Sequence, residues 1–566
     1  MTFDDSRRLT GPNFHTHAPA VVLEAQLEEG ERDAFVAAWQ RHARRLLDAL
    51  GWDEATTFVR RHASGASLGF TAPEDALYAA TEVNEAVWQA AVADVSGSER
   101  ASEAETLKHL RAQIEKEQNP ALRTLHAAAD AHGVAFFFDD DEATVGLGAG
   151  SRTWPADALP APDNVPWDAV HDVPVALVTG TNGKSTTVRL TAAMAAAADR
   201  KAGLSSTDFV RVGNEIVERG DWSGPGGART VLRHKEVELA ILETARGGLL
   251  RRGIALERAD VAVVTNVALD HMGEYGIHAL EDLVEAKLVL HRAVEADGLL
   301  VLNAEDAGLV RWAENYTGDL GWFSLDPDNP TLVAHRRAGG RTYTVEDGTI
   351  VTTWGDQRTE ILPVDEVPIT LGGAARHNVA NALAACALAE ALGLSTDAIR
   401  DGLRSFESSP EDNPGRGNYF DIGGARVLVD FAHNEHGVSA IAETARALPA
   451  ERRLVLFGQA GDRTDAEIAA LVRAVWSLRP DHLIVTELED YLRGREIGEI
   501  PAIIADKLDR LGARGEHITH VPDPITGVRL ALDWMRPGDL LLLFVLTRRA
   551  EAFDLLREAQ AHAAAT

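Results

Sequence analysis

Seven consecutive residues have the types and the spacing of a phosphate-binding loop. They are Gly180, Thr181, Asn182, Gly183, Lys184, Ser185 and Thr186. Glycines allow backbone N–H groups to close around phosphate oxygens, and the N-terminus of a following helix adds partial positive charge. Lys184 can reach the β- and γ-phosphates, and the Ser185 hydroxyl can bind Mg²⁺. We therefore predict a nucleotide site here, in preference to a plain glycine-rich turn.

The elements on either side of this loop support the prediction. The apolar run 173–178 has the pattern of a buried parallel strand, and the alanine-rich segment 186–198 has that of a helix. The usual loop motif has a further glycine where this chain has Val178. The loop is therefore a shortened form that joins a strand to a helix.

Acidic, amide and imidazole side chains follow the next two apolar runs. Glu243 follows the first run, and Asn266, Asp270 and His271 follow the second. Ligands of parallel sheets bind beyond the carboxyl ends of the strands. A carboxylate at that edge can hold a Mg²⁺ ion that also touches the γ-phosphate, although a single carboxylate can equally cap a helix. Together with the phosphate loop, these residues favour a metal–nucleotide site.

Two helices carry further candidates whose roles the residues alone leave open. Lys287 lies in an otherwise acidic and apolar helix, where spacing favours a lysine that is either paired along the helix or solvated on its surface. Asn378 and Asn381 begin an alanine-rich helix, and their amides can face one way. These amides either bind an adenine edge or cap the helix.

Composition restricts the class of protein. The chain has 566 residues, 45% of them apolar and 25% charged, which is typical of a globular protein with several domains. A formal net charge of −32 argues against binding to nucleic acid or to an anionic membrane surface. No apolar run is long enough to span a bilayer, and a single cysteine, Cys386, excludes an internal disulfide. We expect a cytoplasmic protein with Cys386 in its core.

The pattern of strands and helices predicts an α/β protein. We expect a small α+β domain over 1–150, a proline-rich linker over 151–172, a central domain over 173–409 and a second α/β domain over 410–566. The central domain should contain a doubly wound, mostly parallel sheet, because its strands alternate with helices. In the first domain the predicted strands are 21–27, 66–70, 134–138 and 144–147.

The order of these motifs resembles that of the Mur ligase family, which includes folylpolyglutamate synthetases and the C-terminal half of cyanophycin synthetases. The motifs are 180–186, Glu243, 266–271, Lys287, 377–381, 414–416 and 430–434. Further segments resemble signatures particular to cyanophycin synthetases. They are 7–13, 220–225, 242–248, 251–253 and 493–499.

One departure from that resemblance concerns domain order. Cyanophycin synthetases place an ATP-grasp domain, which adds aspartate to the polymer backbone, between the N-terminal domain and the Mur-ligase half. Their Mur-ligase half attaches arginine to the aspartate side chain. Here only 151–172 stands at that point. The resemblance thus implies a Mur-type ligase fused to an N-terminal domain, which does not make the polymer unaided.

The resemblance implies a Mur-ligase-like fold with a Rossmann-like C-terminal domain, and a two-step reaction. A substrate carboxylate attacks the γ-phosphate of ATP to give an acyl phosphate and ADP, and an amine then displaces phosphate to form an amide. Closure of two domains excludes water from the acyl phosphate. The expected substrates are an amino acid and an aspartyl or short peptide acceptor, and we expect a homo-oligomer.

The resemblance also implies a role for each candidate residue. Lys184 and the loop amides hold the phosphates, while Ser185 and Glu243 bind one Mg²⁺ ion. His271 and Lys287, the latter as a carbamate, bind a second ion. The nucleotide ligands expected from elsewhere in the chain are Asn378, Asn381, Arg416, Asp430 and His433.

Two other functions stay open beside the carboxylate–amine ligase. One is an ATP-binding regulatory or polymer-binding protein that has lost ligation, against which the intact Lys184, Glu243, His271 and Lys287 argue. The other is a folylpolyglutamate-type or peptidoglycan-type ligase, for which 1–150 offers no nucleotide-sugar loop. Candidates for binding the amine substrate are 461–465 and 487–490, with Arg493 and Arg495.

Overall fold

The computed structural model describes residues 1–565, and its N-terminal part combines an antiparallel sheet with packed helices. The elements are β1 (Thr2–Leu9), β2 (Ala20–Gln26), α1 (Glu29–Leu50), β3 (Thr57–His62), β4 (Gly65–Thr71), α2 (Leu77–Ser96), α3 (Glu103–Glu117) and α4 (Pro120–Ala131). The strand order is β1-β2-β4-β3. Helices α1 and α2 bury their apolar residues against β2 and β4, with Phe35 and Trp39 fully enclosed. The Trp39 indole donates a hydrogen bond to Asn84 Oδ1 at 3.0 Å, which satisfies its buried N–H group.

Two strands of this sheet, β1 and β3, were not predicted from the sequence. β1 contains four charged residues within its eight, and β3 ends in Arg60-Arg61-His62. Neither segment alternates apolar and polar residues in the way that identifies a half-buried strand. Each becomes a strand because it pairs along its length with β2 or β4, whose residues are almost entirely buried.

A small antiparallel sheet comes next, and its last strand lies in the predicted linker. The sheet consists of β5 (Phe136–Phe138), β6 (Glu142–Val145) and β7 (Arg152–Pro155). Because β7 pairs with β6, the first residues of 151–172 are part of this sheet, and the linker assignment stays a prediction. Phe137 packs in the same core as Val173. The remaining domain bounds stay predictions.

The central domain is built on a sheet of eleven strands. Its elements are β8 (Val175–Thr179), α5 (Lys184–Ala197), β9 (Ala202–Ser205), β10 (Phe209–Val212), β11 (Glu215–Arg219), α6 (Pro225–Arg233), β12 (Leu239–Glu243), α7 (Arg246–Arg252), β13 (Ala259–Val264), α8 (Leu280–Leu288), β14 (Val294–Asn303), α9 (Ala307–Ala313), β15 (Asp319–Ser324), α10 (Pro330–Arg337), β16 (Arg341–Glu346), β17 (Thr349–Trp354), β18 (Gln357–Pro363), α11 (Arg376–Ala391) and α12 (Thr396–Ser405).

The strand order of this sheet brings the predicted site residues together at the carboxyl ends of its central strands. The order is β11-β10-β9-β12-β8-β13-β14-β15-β16-β17-β18, and the pairs from β9 to β16 are all parallel. β8 is central, with β12 and β13 as its neighbours, so the loops after these three strands meet. Apolar clusters cover both faces of the sheet. The prediction of a doubly wound, mostly parallel sheet is confirmed.

The C-terminal domain is a smaller α/β unit. Its elements are β19 (Asn418–Ile422), β20 (Ala425–Asp430), α13 (Glu435–Ala447), β21 (Arg453–Phe457), α14 (Asp465–Trp476), β22 (His482–Thr486), α15 (Glu499–Arg510), β23 (Ile518–Val521), α16 (Pro524–Trp534), β24 (Leu540–Phe544) and α17 (Arg549–Ala565). The order is β19-β20-β24-β21-β22-β23, with only the β19–β20 pair antiparallel. Helices cover both faces of this sheet, as in a Rossmann-like fold.

Two further predictions concern burial. Cys386 is fully buried in α11, which confirms that it is a core residue. Within residues 1–565, every helix is too short or too polar to cross a lipid bilayer.

Candidate functional site

The phosphate loop joins β8 to α5 and requires glycine at two positions. Gly180 and Gly183 have φ angles of +148° and +89°, a region that other residues rarely adopt. A Cβ atom on Gly180 would lie 1.9 Å from Thr265 Oγ1, and one on Gly183 would lie 2.2 Å from Asn381 Oδ1. The loop is therefore packed directly against its neighbours, and its backbone path depends on the two missing side chains.

Lys184 folds back over this loop. Its Nζ atom donates hydrogen bonds to the carbonyl oxygens of Gly180 and Thr181, each at 3.1 Å. The segment that follows β13 fixes the loop, because the Asn182 backbone N–H donates a hydrogen bond to Asn266 Oδ1 at 3.0 Å. The ammonium group is thus held at the loop by two of its carbonyl oxygens, and its role as a phosphate ligand stays a prediction.

Glu243 ends β12 and lies beside the phosphate loop with only 2% of its surface exposed. Ser185 Oγ donates to Glu243 Oε2 at 2.8 Å, and Thr207 Oγ1 donates to Oε1 at 2.8 Å. Two hydroxyls and a carboxylate form a cluster of oxygen donors, which is the donor set that Mg²⁺ prefers. The residues therefore fit a magnesium ion. Thr207 was not predicted, since nothing in its sequence surroundings distinguishes it.

A second cluster lies in the loop after β13. Asp270, His271 and His433 bring their ligand atoms within 4.8 Å of one another, with His433 contributed by the C-terminal domain. Burial lowers the pKa of His271 to about 4, with the Asp270 carboxylate opposing this shift. The imidazole is consequently neutral near pH 7, which is the form that binds metals. His271 also has a φ of +50°, a left-handed conformation that costs a non-glycine residue roughly 1–2 kcal/mol.

Lys287 faces the cleft from α8 and is 4% exposed. Within residues 1–565 its ammonium group makes no hydrogen bond or ion pair, so the interpretation of a surface lysine paired along the helix is wrong. Burial, reinforced by the positive charge of Lys184, lowers the pKa of Lys287 to about 7. A large fraction of this side chain is therefore a neutral amine at physiological pH.

The two asparagines of α11 lie at the far end of the loop. Asn378 Nδ2 donates to the Ile369 carbonyl oxygen at 2.9 Å, and Asn381 Nδ2 donates to Asn378 Oδ1 at 3.2 Å. The residue at the N-cap position of α11 is Ala375. Capping by either asparagine is therefore excluded, and both amides lie along the cleft.

Arginines from two domains converge on Asp208. Asp208 pairs with Arg189 of α5 at 2.6 Å and with Arg549 of α17 at 2.8 Å, while Arg416 lies 4.0 Å away. The three guanidinium groups, led by Arg416, hold the pKa of Asp208 at about 2 against the effect of burial. Arg416 and Arg549 also lie within 5.0 Å of the Phe431 ring centre. This cluster joins the central and C-terminal domains, and Asp208 and Arg549 were not predicted.

Replacing Asp208 by asparagine is expected to destabilise the protein by about 2 kcal/mol at pH 7, the equivalent of its pKa displacement. Because the folded-state pKa is depressed, this contribution is full above the unfolded value near 3.8 and declines as pH falls towards about 2. Urea-unfolding midpoints of wild type and variant should therefore differ at pH 7 and approach each other only as the pH falls to about 2. A difference that stays constant over this range would contradict the assignment.

All the predicted site residues line one cleft of about 1140 Å³ between the central and C-terminal domains. They include Asp430 at the end of β20, whose pKa is raised to about 6 by burial, and His433, whose pKa burial lowers. The structure thus brings together residues that are up to about 250 positions apart, in keeping with sheet topology. Their individual roles stay predictions.

The segments proposed for the amine substrate only partly reach the cleft. Asp462, Arg463 and Arg493 line it. Glu487 is instead buried and accepts a hydrogen bond from the Gly498 backbone N–H at 2.6 Å. Asp465 is paired with Arg495 at 2.9 Å. Asp465 and Glu487 therefore stabilise the domain's own loops, and the assignment of these segments to the amine substrate stays a prediction.

Arg463 stands out among these residues because it crosses to the central domain. Its Nη1 atom lies 3.0 Å from Asp270 Oδ1, and its Nη2 atom lies 3.3 Å from His271 Nε2. The side chain is 7% exposed. The C-terminal domain thus contacts the histidine cluster directly, so the relative placement of the two domains and the geometry of the cluster are linked.

Comparison with known proteins agrees with this arrangement. Residues 178–389 match the Mur ligase middle domain, and residues 415–544 match the glutamate ligase domain of Mur ligases. The cyanophycin synthetase of Crocosphaera subtropica is 37% identical over 67% of this chain and 43% of that protein. The cyanophycin synthetase of Synechocystis sp. is 37% identical over 66% of this chain and 42% of that protein. The chain thus spans less than half the length of these relatives.

One further protein and one solved structure are less similar to this chain. The UDP-N-acetylmuramoyl-L-alanyl-D-glutamate–2,6-diaminopimelate ligase of Geobacter metallireducens is 29% identical over 66% of this chain and 73% of that protein. The solved structure of E. coli FolC in complex with DHPP and ADP has a TM-score of 0.49 at 21% identity, covering 68% of this chain and 89% of that one. Through its middle and glutamate ligase domains, this chain belongs to the Mur ligase family.

Proposed function

We propose that this protein is an ATP-dependent carboxylate–amine ligase that works through an acyl-phosphate intermediate. The observation that carries the proposal is the convergence of three groups in one interdomain cleft: the phosphate loop with Lys184, the Ser185–Glu243 pair, and His271 with Lys287. A reaction between two anions, ATP and a carboxylate, needs this density of positive charge and metal ligands. Family membership supports the same conclusion.

Two magnesium ions are part of the proposal. Ser185 and Glu243 would hold one ion, and His271 with carbamylated Lys287 would hold the other. When bound, Mg²⁺ neutralises phosphate charge and acts as a Lewis acid. The depressed pKa of Lys287 supports carbamylation, because a neutral amine can attack CO₂ whereas an ammonium group cannot. Carbamylation would turn an unpaired buried cation into an anionic oxygen ligand.

The chain's own groups would act as follows. Lys184 and the loop amides neutralise the phosphates while a carboxylate oxygen of the acceptor bonds to the γ-phosphorus and the bond to the bridging oxygen of ADP breaks. The amine nitrogen then bonds to the acyl carbon, phosphate leaves, and the nitrogen loses a proton. Asn378 and Asn381 would bind adenine, with Arg416, Asp430 and His433 reaching the nucleotide from the other side of the cleft. Contact between the two domains would exclude water from the acyl phosphate.

The substrates proposed are an amino acid and an aspartyl or short peptide acceptor, in cyanophycin-related metabolism. The relatives named cyanophycin synthetase support this choice, as do relatives whose name records the ligation of diaminopimelate to a peptide. A net charge of −32 argues against a nucleic-acid substrate. We keep the expectation of a homo-oligomer in the cytoplasm as a prediction.

The direct test is ADP release from Mg²⁺-ATP with a panel of substrates. Aspartate and aspartyl peptides are offered as acceptors against each common amino acid, and products are identified by mass. The proposal predicts ADP only when acceptor and amine are both present, with a product lighter by one water than their sum. ADP release independent of both, or ATP binding without turnover on the whole panel, would overturn the proposal; the second result favours a regulatory ATP-binding protein.

Replacing Arg463 by alanine is expected to lower kcat/KM for the amine substrate by about a hundredfold, because misplacing the second domain disturbs the geometry of both reacting groups. Steady-state kinetics with varied amine and fixed ATP measure this. The matched control is Arg473→Ala, since Arg473 lies exposed on nearby α14. Equal losses in the two variants would contradict a specific role for Arg463.

A further inference from the structure

The N-terminal domain packs against a segment of the central domain that connects two parts of the site. Residues 271–279, here named the site loop, run from His271 to the start of α8, the helix that carries Lys287. None of the roles proposed above involves the N-terminal domain. Its contacts with the site loop, however, are numerous and specific.

Arg60 on β3 makes the central contact. Its Nη1 atom donates to the Gly276 carbonyl oxygen at 2.7 Å, and its Nη2 atom forms an ion pair with Asp282. The Phe14 ring lies 4.7 Å below the guanidinium carbon and supports the plane of the group. Arg60 and Asp282 are only 19% and 23% exposed, so this pair is better shielded from water than a surface pair.

Asp282 connects Arg60 to the start of α8. Its Oδ2 atom accepts hydrogen bonds from the backbone N–H groups of His278 and Ala279, both at 2.8 Å, where the helix begins. A carboxylate in the first turn also interacts favourably with the helix dipole. Arg60 therefore holds the residue that sets the start of α8, and Lys287 follows on that helix.

Three further pairs hold the site loop. Ser64 Oγ lies 3.1 Å from His278 Nε2, and the rings of His62 and His278 are stacked with centroids 5.4 Å apart. The Arg7 guanidinium carbon lies 4.6 Å from the centre of the Tyr275 ring. The contacts thus come from β1 and from the β3–β4 hairpin, which fix the loop from two directions.

The backbone of the site loop includes residues with positive φ angles, which need contacts with the surrounding structure. His271 and Tyr275 have φ angles of +50° and +54°, and conformations of this kind persist where surrounding structure determines them. A Cβ atom on Gly276 would lie 2.7 Å from His62 Cδ2, so the close approach of the N-terminal domain depends on glycine there. The loop conformation and the docking of the N-terminal domain are therefore mutually dependent.

We propose that the N-terminal domain positions the ligase site through Arg60, which holds the site loop and the start of α8 so that His271 and Lys287 face the phosphate loop. Arg60 is a positioning residue: its contacts are with Gly276 and Asp282, outside the cleft lining. The effect of Arg60 on catalysis rests on the proposed function, whereas its effect on the conformation of the site loop does not.

The test compares Arg60→Gln with Arg61→Gln. Arg61 is the next residue on β3 and is 53% exposed, and among residues 1–565 its side chain pairs only with Asp33 on the surface, so it is a matched control. Hydrogen–deuterium exchange is measured on the full-length protein without nucleotide. We expect peptides covering 271–279 to exchange about tenfold faster in Arg60→Gln and unchanged in Arg61→Gln, because the loop loses a hydrogen bond and an ion pair.

Kinetics supply the second readout. For Arg60→Gln we expect kcat to fall between about tenfold and about a hundredfold, with KM for ATP nearly unchanged, and Arg60→Lys to recover part of this loss. A general loss of stability would instead raise exchange throughout the chain. If Arg60→Gln does not fold, Ser64→Ala serves as the milder variant and should still speed exchange at 271–279.

Two outcomes would overturn the proposal: unchanged exchange at 271–279 in a folded Arg60→Gln protein, or the same increase in Arg61→Gln. If wild-type protein shows no ligation with any substrate, the proposed function fails, but the exchange experiment still decides the positioning role. The two failures are thereby distinguishable.

Discussion

Lys184→Met is expected to reduce ADP formation by about a hundredfold to a thousandfold, which is the effect of removing one preorganised donor from a developing anion. The Nζ atom is held by two carbonyl oxygens of its own loop, so it is in place before ATP binds. Methionine keeps the length of the side chain but supplies no charge. Initial rates of ADP release at saturating ATP measure the effect.

The control for this variant is Lys201→Met. Lys201 is exposed, pairs with Glu236 at 3.1 Å on the surface and lies outside the cleft lining. It should leave the rate within about twofold, as surface substitutions usually do. A Lys184→Met enzyme as active as Lys201→Met would exclude Lys184 from phosphate binding.

Lys287→Met is expected to lower kcat by about a thousandfold, because the variant lacks the amine that we propose becomes a metal ligand when carbamylated. Lys287→Glu should recover a measurable part of the activity, since a carboxylate offers the oxygen atoms that the carbamate would supply. Both rates are measured over a range of Mg²⁺ concentrations. Full activity in Lys287→Met, or equal inactivity in both variants at every Mg²⁺ concentration, would contradict the carbamate role.

The pKa of Lys287 adds a pH dependence to this prediction. With a pKa of about 7, the neutral amine that reacts with CO₂ predominates above that pH and declines below it. Added bicarbonate should therefore stimulate the wild-type enzyme more at pH 8 than at pH 6. Lys287→Glu should show no stimulation at either pH, which separates carbamylation from a general effect of bicarbonate.

The phosphate loop could be predicted because its chemistry is local. Glycines, lysine and serine lie within seven residues, and the flanking strand and helix show in the apolar pattern. Glu243 and His271 could be predicted because the carboxyl ends of parallel strands lie at the same end of their sheet. Residues that follow such strands therefore lie close together in the fold. The central sheet follows from the same regularity.

The residues that escaped prediction depend on contacts between distant segments. Thr207 and Asp208 lie in a short loop after β9, and only the fold brings Glu243, Arg189 and Arg549 to them. β1 and β3 are strands through pairing rather than through their own pattern. The contacts of Arg60 cross more than 200 residues, and no local signal marks them.

Lys287 illustrates a different limit. Its helix is otherwise acidic and apolar, so the sequence alone favours a lysine on the surface of the helix. In the fold, α8 turns this residue towards the cleft, where it is almost completely buried and unpaired. The sheet and loops that surround a helix decide which of its faces points towards the cleft. The spacing of residues within the helix does not specify that packing.

In the proposed reaction a substrate carboxylate attacks ATP to give an acyl phosphate. An acceptor whose carboxylate carries oxygen-18 tests this step, with the released phosphate analysed by mass spectrometry. We expect one labelled oxygen in phosphate for each amide formed. Phosphate without label, while amide accumulates, would show that the carboxylate never bonds to phosphorus and would contradict the proposed reaction.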